Sequence, residues 1–513
     1  MWRNKMENFT SSVLLELIQN DNESEIIEYK SNQNDTGQIC KYISALGNAA
    51  IASLNPRAYL IWGVEDITKK IIGTKFDPYT SKARILPKDG NKKRMKNSNY
   101  PFITYIEENI NPKIQLKWEE FKDVQGKRLV VLIIDVTHIN QPIKYKGVEY
   151  VRSGTSLKPL NEFPEKERQI WKSFESSKFE MEFAKTNVSY PDIEDLLDIN
   201  FYKRTINMDI IHESDIIQSL IEDNIIVSSG NSFDITNLGA YTLAKDMNSF
   251  PHLKRRTVRI TKYEGNYKTD NAVYDAIGNM GVIVGFHNMI VNIMRHIPYV
   301  EDYTGGIRND ISRFPELVVR ELLANTIAHQ DFTISGMRPM VEIFNNRIIF
   351  SNPGVPLIDP MRFLDFPPRS RNTELADLLG KFKIVESRGT GIDKVVASLE
   401  KNELPALEIL TKGTDATQVT IHNKKLFKDM SPTEKNESIY WNACLHYVND
   451  EQINNASLRK RFNLTSNDSS LISKAISNAI EANLIKLYDE KAGRKFVSYI
   501  PFWGVSVQNR YKI

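Results

Sequence analysis

Cysteine is nearly absent. Cys40 and Cys444 are the two in 513 residues, too few and too far apart for a disulfide framework or a cysteine-rich zinc site. Their scarcity fits a reducing compartment. Neither sign of charge dominates: 67 basic residues face 64 acidic ones, a net +3. The chain as a whole is therefore no polycation, and any nucleic-acid surface has to be local. Long apolar runs are missing too. Val13–Ile18 is interrupted by Glu16, which excludes a signal-peptide core. The longest apolar stretch, Met280–Met294, contains His287, Asn288 and Asn292 and is too short and too polar to span a bilayer. No fixed-period repeat or low-complexity tract occurs, which excludes a solenoid. These absences predict a soluble cytoplasmic protein without a membrane partner. With 41% hydrophobic and 26% charged residues the chain is globular, and its length predicts three or four domains.

Four stretches stand out, a multidomain mixture of α/β and α+β. In residues 1–175, Glu25–Lys30 reads as a strand and Ile39, Ile43, Leu46 and Ala50 recur at helical spacing. Tyr59–Val64 and Leu129–Val136 read as buried strands. Between them Ser81–Asn97 carries seven basic residues and one acid. Residues 176–254 read as a small helical unit with a wing: helix Ile216–Ile226, a turn at Ser228–Asn231, strand Phe233–Ile235 and helix Leu238–Ala244. Residues 255–425 read as α/β, with strand Val258–Thr261, helices Met280–Met294 and Pro315–Ala328, a hairpin turning at Asn345–Asn346, and strand Gln418–His422. Residues 430–513 read as helix, helix, helix, hairpin, the order of a winged helix-turn-helix.

In the third stretch Glu321, Asn325 and His329 are spaced four apart and make one polar stripe on a helix. Ser351-Asn352-Pro353-Gly354 follows, then Glu386-Ser387-Arg388-Gly389-Thr390-Gly391 entering a second helix. Glycines ahead of a helix N-terminus suit a phosphate, because backbone N–H groups point at the anion and no side chain blocks it. Here the sequence resembles the GHKL ATPases, the superfamily of gyrase, histidine kinases and heat-shock chaperones. The resemblance implies a Bergerat α/β sandwich that binds ATP. It makes Glu321 the catalytic residue that orients or deprotonates water and Asn325 the ligand of Mg²⁺. Gly389-Thr390-Gly391 becomes the phosphate lid, with Arg388, His329, Asn352 and Gly354 beside the nucleotide. The match is nearest to a bacterial branch carrying Asn325, His329 and Asp331, an Asn-Pro-Gly turn, Arg371-Asn372 and Gly-Thr-Gly in order. Asn352 stands where better-known members have an aspartate that reads the adenine amino group. Its amide oxygen can accept the same bond.

In the first stretch, a strand sets Glu28 and Lys30 on one side, and Asp66 follows the strand Tyr59–Val64. With Glu23, these acids and a lysine can converge. Hard carboxylate oxygens suit Mg²⁺ or Mn²⁺, and such ions activate water against a phosphodiester. The pattern Glu23, Glu28-Tyr29-Lys30, Asn48, Gly63-Val64-Glu65-Asp66 and Tyr150-Val151-Arg152-Ser153-Gly154 resembles the Schlafen (AlbA-type) domain. In nuclease-active Schlafen proteins the three acids occupy the positions of Glu23, Glu28 and Asp66. Asn55-Pro56-Arg57 replaces the usual Gly-Gly pair. The resemblance leaves two functions open, metal-dependent cleavage and binding without cleavage. The basic residues Lys82, Arg84, Lys88, Lys92, Lys93, Arg94 and Lys96 are candidate phosphate contacts in either case. Arg459, Lys460 and Arg461 in the last stretch are candidate contacts for a groove.

Together these readings predict a Schlafen domain, a winged linker, a GHKL domain and a C-terminal winged helix, acting on DNA or RNA under control of ATP and Mg²⁺ (or Mn²⁺). A homo-oligomer, at least a dimer, is expected from lid closure in GHKL proteins. The favoured function is a metal-dependent endonuclease on RNA such as tRNA or on single-stranded DNA, in anti-phage defence; the alternative is an ATP-responsive DNA-binding transcriptional regulator without cleavage.

Overall fold

The structure, a computed structural model, describes residues 25–507 apart from 33, 54, 67, 86–95, 123–125, 137, 138, 140, 155, 206–211, 303–308, 387, 388, 414 and 494–496. The chain divides after Glu175 into two compact units, the division falling inside the helix Pro164–Met181.

The first unit is built on a four-stranded sheet in the order Ile27–Lys30, Arg57–Trp62, Arg128–Asp135, Gln115–Lys122. The first pair is parallel and the others antiparallel. The apolar runs in the central strands are continuous because both faces are buried. Ala58, Leu60, Trp62, Val130, Leu132 and Ile134 enter one core; Ile61, Leu129, Val131 and Ile133 enter another. The helix Thr36–Ala52 covers the first face with Ile39, Ile43, Leu46 and Ala50. It starts at Asp35, whose Oδ1 accepts from the amides of Gly37 and Gln38 at 3.0 and 3.2 Å. Asn48 on this helix is a clamp. Its amide nitrogen donates to the carbonyls of Ile143 and Tyr150, and its oxygen accepts from Ile143 N at 2.7 Å. The basic stretch contributes two antiparallel strands, Lys82–Ile85 and Lys96–Pro101.

The second unit carries a six-stranded mixed sheet. Its order is Ala272–Ile277, Arg259–Tyr263, Met340–Ile343, Arg347–Pro353, Ala416–His422, Glu408–Lys412. Arg259–Tyr263 and Met340–Ile343 run parallel; the other neighbours are antiparallel. The helix Glu316–Ala328 packs on the sheet strand Arg347–Pro353 and between the helices Phe286–His296 and Gly391–Lys401. It is buried on nearly every side, through Val318, Val319, Leu322, Leu323, Ala324 and Ile327. One apolar core runs from Val188 to Ile485, so the stretches 176–254, 255–425 and 430–513 share it. The C-terminal elements are helices Pro432–Val448, Asn455–Arg461 and Ser469–Glu481 and strands Ile485–Leu487 and Tyr499–Pro501.

Two helices differ from the periodicity. The helix expected over Ile216–Ile226 spans Glu213–Glu222, because Asn224 turns left-handed (φ 56°) and Ile226 opens a strand. The helix expected from Met280 starts at Phe286. The amides of Val282 and Ile283 bond instead to the carbonyls of Tyr241 and Thr242 at 2.8 and 3.1 Å, closing the end of the helix Asn237–Leu243. Among the described residues no helix is long and apolar enough to cross a membrane.

Candidate nucleotide and nucleic-acid sites

On the helix Glu316–Ala328 the polar stripe is the exception to an apolar surface. Glu321 is 2% exposed, and Arg320 Nη1 holds its Oε1 at 2.6 Å. Burial raises the Glu321 carboxyl above its ordinary value, against the opposing charge of Arg320. One turn on, the Asn325 carboxamide makes no hydrogen bond among the described residues, nor does the His329 ring. His329 is exposed by area, yet desolvation and the Arg371 charge pull its imidazole down to about 4. His329 is therefore neutral at physiological pH.

The start of the helix Gly391–Lys401 faces this stripe. A methyl group on Gly391 would lie 3.0 Å from Glu321 Oε2. The helix has no side-chain cap, because Thr390 Oγ1 bonds Glu386 at 3.0 Å. Its first N–H groups are left for another acceptor. Gly389 has φ +70°, and a Cβ there would lie 2.4 Å from Pro368 Cγ, so no other residue fits this turn. Arg388 lies outside the described residues.

The remaining motif residues clamp the floor. Asp331 and Arg371 form a buried ion pair at 2.9 Å. The Asp331 amide donates to Pro353 O, and Gly354 N to Asp415 O. Asn372 Nδ2 reaches the carbonyls of Ala328 and Gln330 at 3.0 and 2.7 Å, satisfying acceptors where the central helix ends. Asn352 Nδ2 is taken by the carbonyls of His329 and Pro353, which leaves its Oδ1 as the group that can accept from a ligand.

In the first unit, Gly63 (φ +97°) passes so near Arg128 O that a Cβ would lie 2.8 Å from it. The amides of Gly63 and Val64 both hang on Lys30 O, which brings Asp66 back beside Lys30, Nζ to Oδ2 3.4 Å. Glu28 is 5% exposed; one oxygen accepts from Lys30 and the other pairs with Arg152 Nη1 at 3.0 Å. Burial works to lower the Lys30 pKa, but the bond and charge of Glu28 raise it further, so the lysine stays charged. The Tyr42 ring lies 4.9 Å from Lys30 Nζ. Of the expected carboxylate metal site, Glu28 and Asp66 are described and both lie beside Lys30. Both oxygens of Glu28 are already neutralised by cations, and a metal would have to displace one of them. Among the described residues no group of three or more His, Cys, Asp or Glu side chains is placed to hold a metal. Glu23 lies outside the described residues.

Residues 23–161 match the Schlafen, AlbA_2 family model, and residues 336–421 match HATPase_c_4, described as an ATP-dependent DNA helicase recG C-terminal model. The chain thus contains a Schlafen AlbA-type domain and an ATPase-type domain. No curated protein matches the sequence. Among solved structures, the DIP2311 protein from Corynebacterium diphtheriae is 15% identical over 93% of this chain and 92% of its own, with a TM-score of 0.39. That likeness is too low to carry a fold or a function across.

The ATPase match holds Asn352, Gly354, Arg371 and Gly389–Gly391, while Glu321, Asn325 and His329 lie before its first residue. In the Schlafen domain Lys82 is exposed and Arg84 half-buried; Lys88, Lys92, Lys93 and Arg94 lie outside the described residues, as does the Lys96 side chain. In the C-terminal helices Lys460 is exposed and Arg459 Nε bonds Asn455 at 2.9 Å. Arg461 is corrected: it turns inward, pairs with Glu400 inside the protein and donates to Leu404 O at 2.7 Å, so its guanidinium is not offered to a phosphate. Sequence reasoning missed Arg320, Tyr42 and the pairing role of Arg152. Arg152 sits inside the quoted Tyr150–Gly154 motif, and that motif was the available signal.

Proposed function

We propose that this protein binds nucleic acid through its Schlafen domain under control of ATP bound to its ATPase-type domain. The observation that carries this reading is the unpartnered pair Asn325 and His329 on the helix whose Glu321 lies against Gly391, the start of a helix without a side-chain cap. This arrangement fits ATP in a GHKL-type pocket. Asn352 Oδ1 would accept from the adenine, the amides at Gly389–Gly391 would hold phosphate, and the Asn325 oxygen would join phosphate oxygens around Mg²⁺. Glu321 is the group that would polarise an attacking water. The C-terminal elements support a winged-helix module that presents Lys460 and Lys474. Lid closure over ATP would pair two copies.

Of the two functions left open, binding without cleavage is favoured, because Glu28 is held by Lys30 and Arg152. Metal-dependent cleavage, and with it a defence role, would require that pairing to open. The test is calorimetry with Mg²⁺-ATP on the full chain, followed by oligonucleotide binding with and without a non-hydrolysable analogue. ATP binding that alters nucleic-acid affinity, with no Mn²⁺-dependent cleavage, is expected. Absence of ATP binding refutes the reading, and cleavage abolished by Glu28→Ala replaces it with the nuclease.

A further inference from the structure

A cavity of about 420 Å³ opens in the Schlafen domain, away from Glu28 and Asp66 in the lining, between Asn34, Phe76, Thr80, Ser81, Lys82, Arg84 and Phe102. That volume lies in the range of sites for small molecules, about 300–1,000 Å³. Its apolar wall is the edge of an aromatic cluster. Phe76 stacks on Trp62 at 4.7 Å and meets Phe102 edge-on at 5.3 Å, and Phe102 meets Trp118 at 5.9 Å. These four rings fix one another, so the wall does not collapse when the cavity is empty of side chains.

The polar wall is cationic and unsatisfied. Arg84 is anchored through its amide, which donates to Thr36 Oγ1 at 2.8 Å. Its Nε is buried and has no hydrogen-bond acceptor among the described residues. Lys82 is exposed and has no ion partner among the described residues. The nearby carboxylate is already engaged: Asp77 accepts from Thr80 Oγ1 and the Tyr79 amide, both at 2.9 Å. The neighbouring Tyr79 side chain is 71% exposed, an aromatic face with no packing role.

We propose that this cavity seats a backbone phosphate of a single-stranded nucleic acid on Arg84 and Lys82, with a base beside it on the exposed Tyr79 ring. The inference rests on the reading of this domain as nucleic-acid-binding and adds the form of the ligand. An exposed ring such as Tyr79 stacks on an exposed base face, which a duplex hides by stacking and a single strand offers. A guanidinium edge is matched to two phosphate oxygens at once. Tyr79 gives an adjoining base a surface to stack on.

The test is fluorescence anisotropy of the full chain with a labelled oligouridylate and with the same strand in a duplex, in the parent and in Arg84→Gln and Lys82→Ala. The expected result is tighter binding of the single strand, weakened about tenfold or more by Arg84→Gln, and a salt slope lower by about 0.7 for each phosphate no longer neutralised. Uridine monophosphate should compete and inorganic phosphate at the same concentration should not. Each variant must melt with the parent; Lys82, being exposed, keeps the test alive if Arg84→Gln does not fold. Unchanged single-strand affinity in both variants overturns the inference while the domain's nucleic-acid binding stands. So does duplex binding as tight as single-strand binding, or equal competition by inorganic phosphate. A parent that binds no nucleic acid overturns the function beneath it as well.

Discussion

Replacing Glu180 by glutamine isolates a buried charge beside the nucleotide pocket. Glu180 is 2% exposed, and its Oε1 accepts from Leu375 N at 2.7 Å. It thereby caps the helix Thr373–Lys381, which has no cap from its own Asn372. Arg371 and Asn372, which hold the pocket floor, directly precede that helix. Burial pushes the Glu180 carboxyl up to about 8 from 4.5, with the charges of Glu374 and Asp377 adding and the backbone bonds opposing. The folded state therefore keeps a proton that the unfolded state releases between those values. The stability this group contributes is full below pH 4.5 and is lost as pH rises through 8. At about 1.4 kcal/mol per pH unit, the loss across that window approaches 5 kcal/mol. Glutamine keeps the acceptor oxygen and has no proton to lose. In urea unfolding at pH 5, 6, 7 and 8, the difference between Glu180→Gln and the parent should grow in favour of the variant by about 1.4 kcal/mol per unit. A difference that stays constant from pH 5 to 8 would refute the reasoning, since it would mean that Glu180 titrates alike in both states.

Asn325→Ala should abolish Mg²⁺-ATP binding in calorimetry, whereas Glu321→Ala should bind ATP and release phosphate about 10²–10⁴-fold more slowly. Gly389→Ala should lose ATP affinity and melt lower, by 1 kcal/mol or more on the order of a left-handed backbone penalty plus the clash with Pro368. Arg461→Ala should cost about 3–5 kcal/mol in thermal unfolding by stranding Glu400, and should leave nucleic-acid affinity per folded molecule unchanged. A non-hydrolysable ATP analogue should shift oligonucleotide affinity by a factor that the oligonucleotide returns on the analogue, about 1–3 kcal/mol of coupling. Equal affinities in parent and Asn325→Ala, with and without analogue, would mean two uncoupled sites.

The sequence by itself determined what depends on neighbours a few residues away. The spacing of Ile39, Ile43, Leu46 and Ala50 made a helix face, and the apolar run through Leu129–Val136 made a strand buried on both sides, because each follows from the repeat of its own backbone. The stripe Glu321, Asn325, His329 was legible for the same reason, and so were Gly389–Gly391, where a turn admits no side chain. Ordered motifs then pointed to the Schlafen and ATPase-type domains. The tertiary structure decided what each charge does. Glu28 shows nothing in its own segment of Arg152, which lies far along the chain and reaches its second oxygen in the fold. Arg461 reads as a surface cation until Glu400 is folded against it. Lys82 and Arg84 read as one basic run until the fold sets them on a cavity with Phe76 and Phe102. A carboxylate or guanidinium carries its charge in the sequence, but its partner and its solvent are supplied by chain segments that only the fold brings near, and those set its energy and its chemistry.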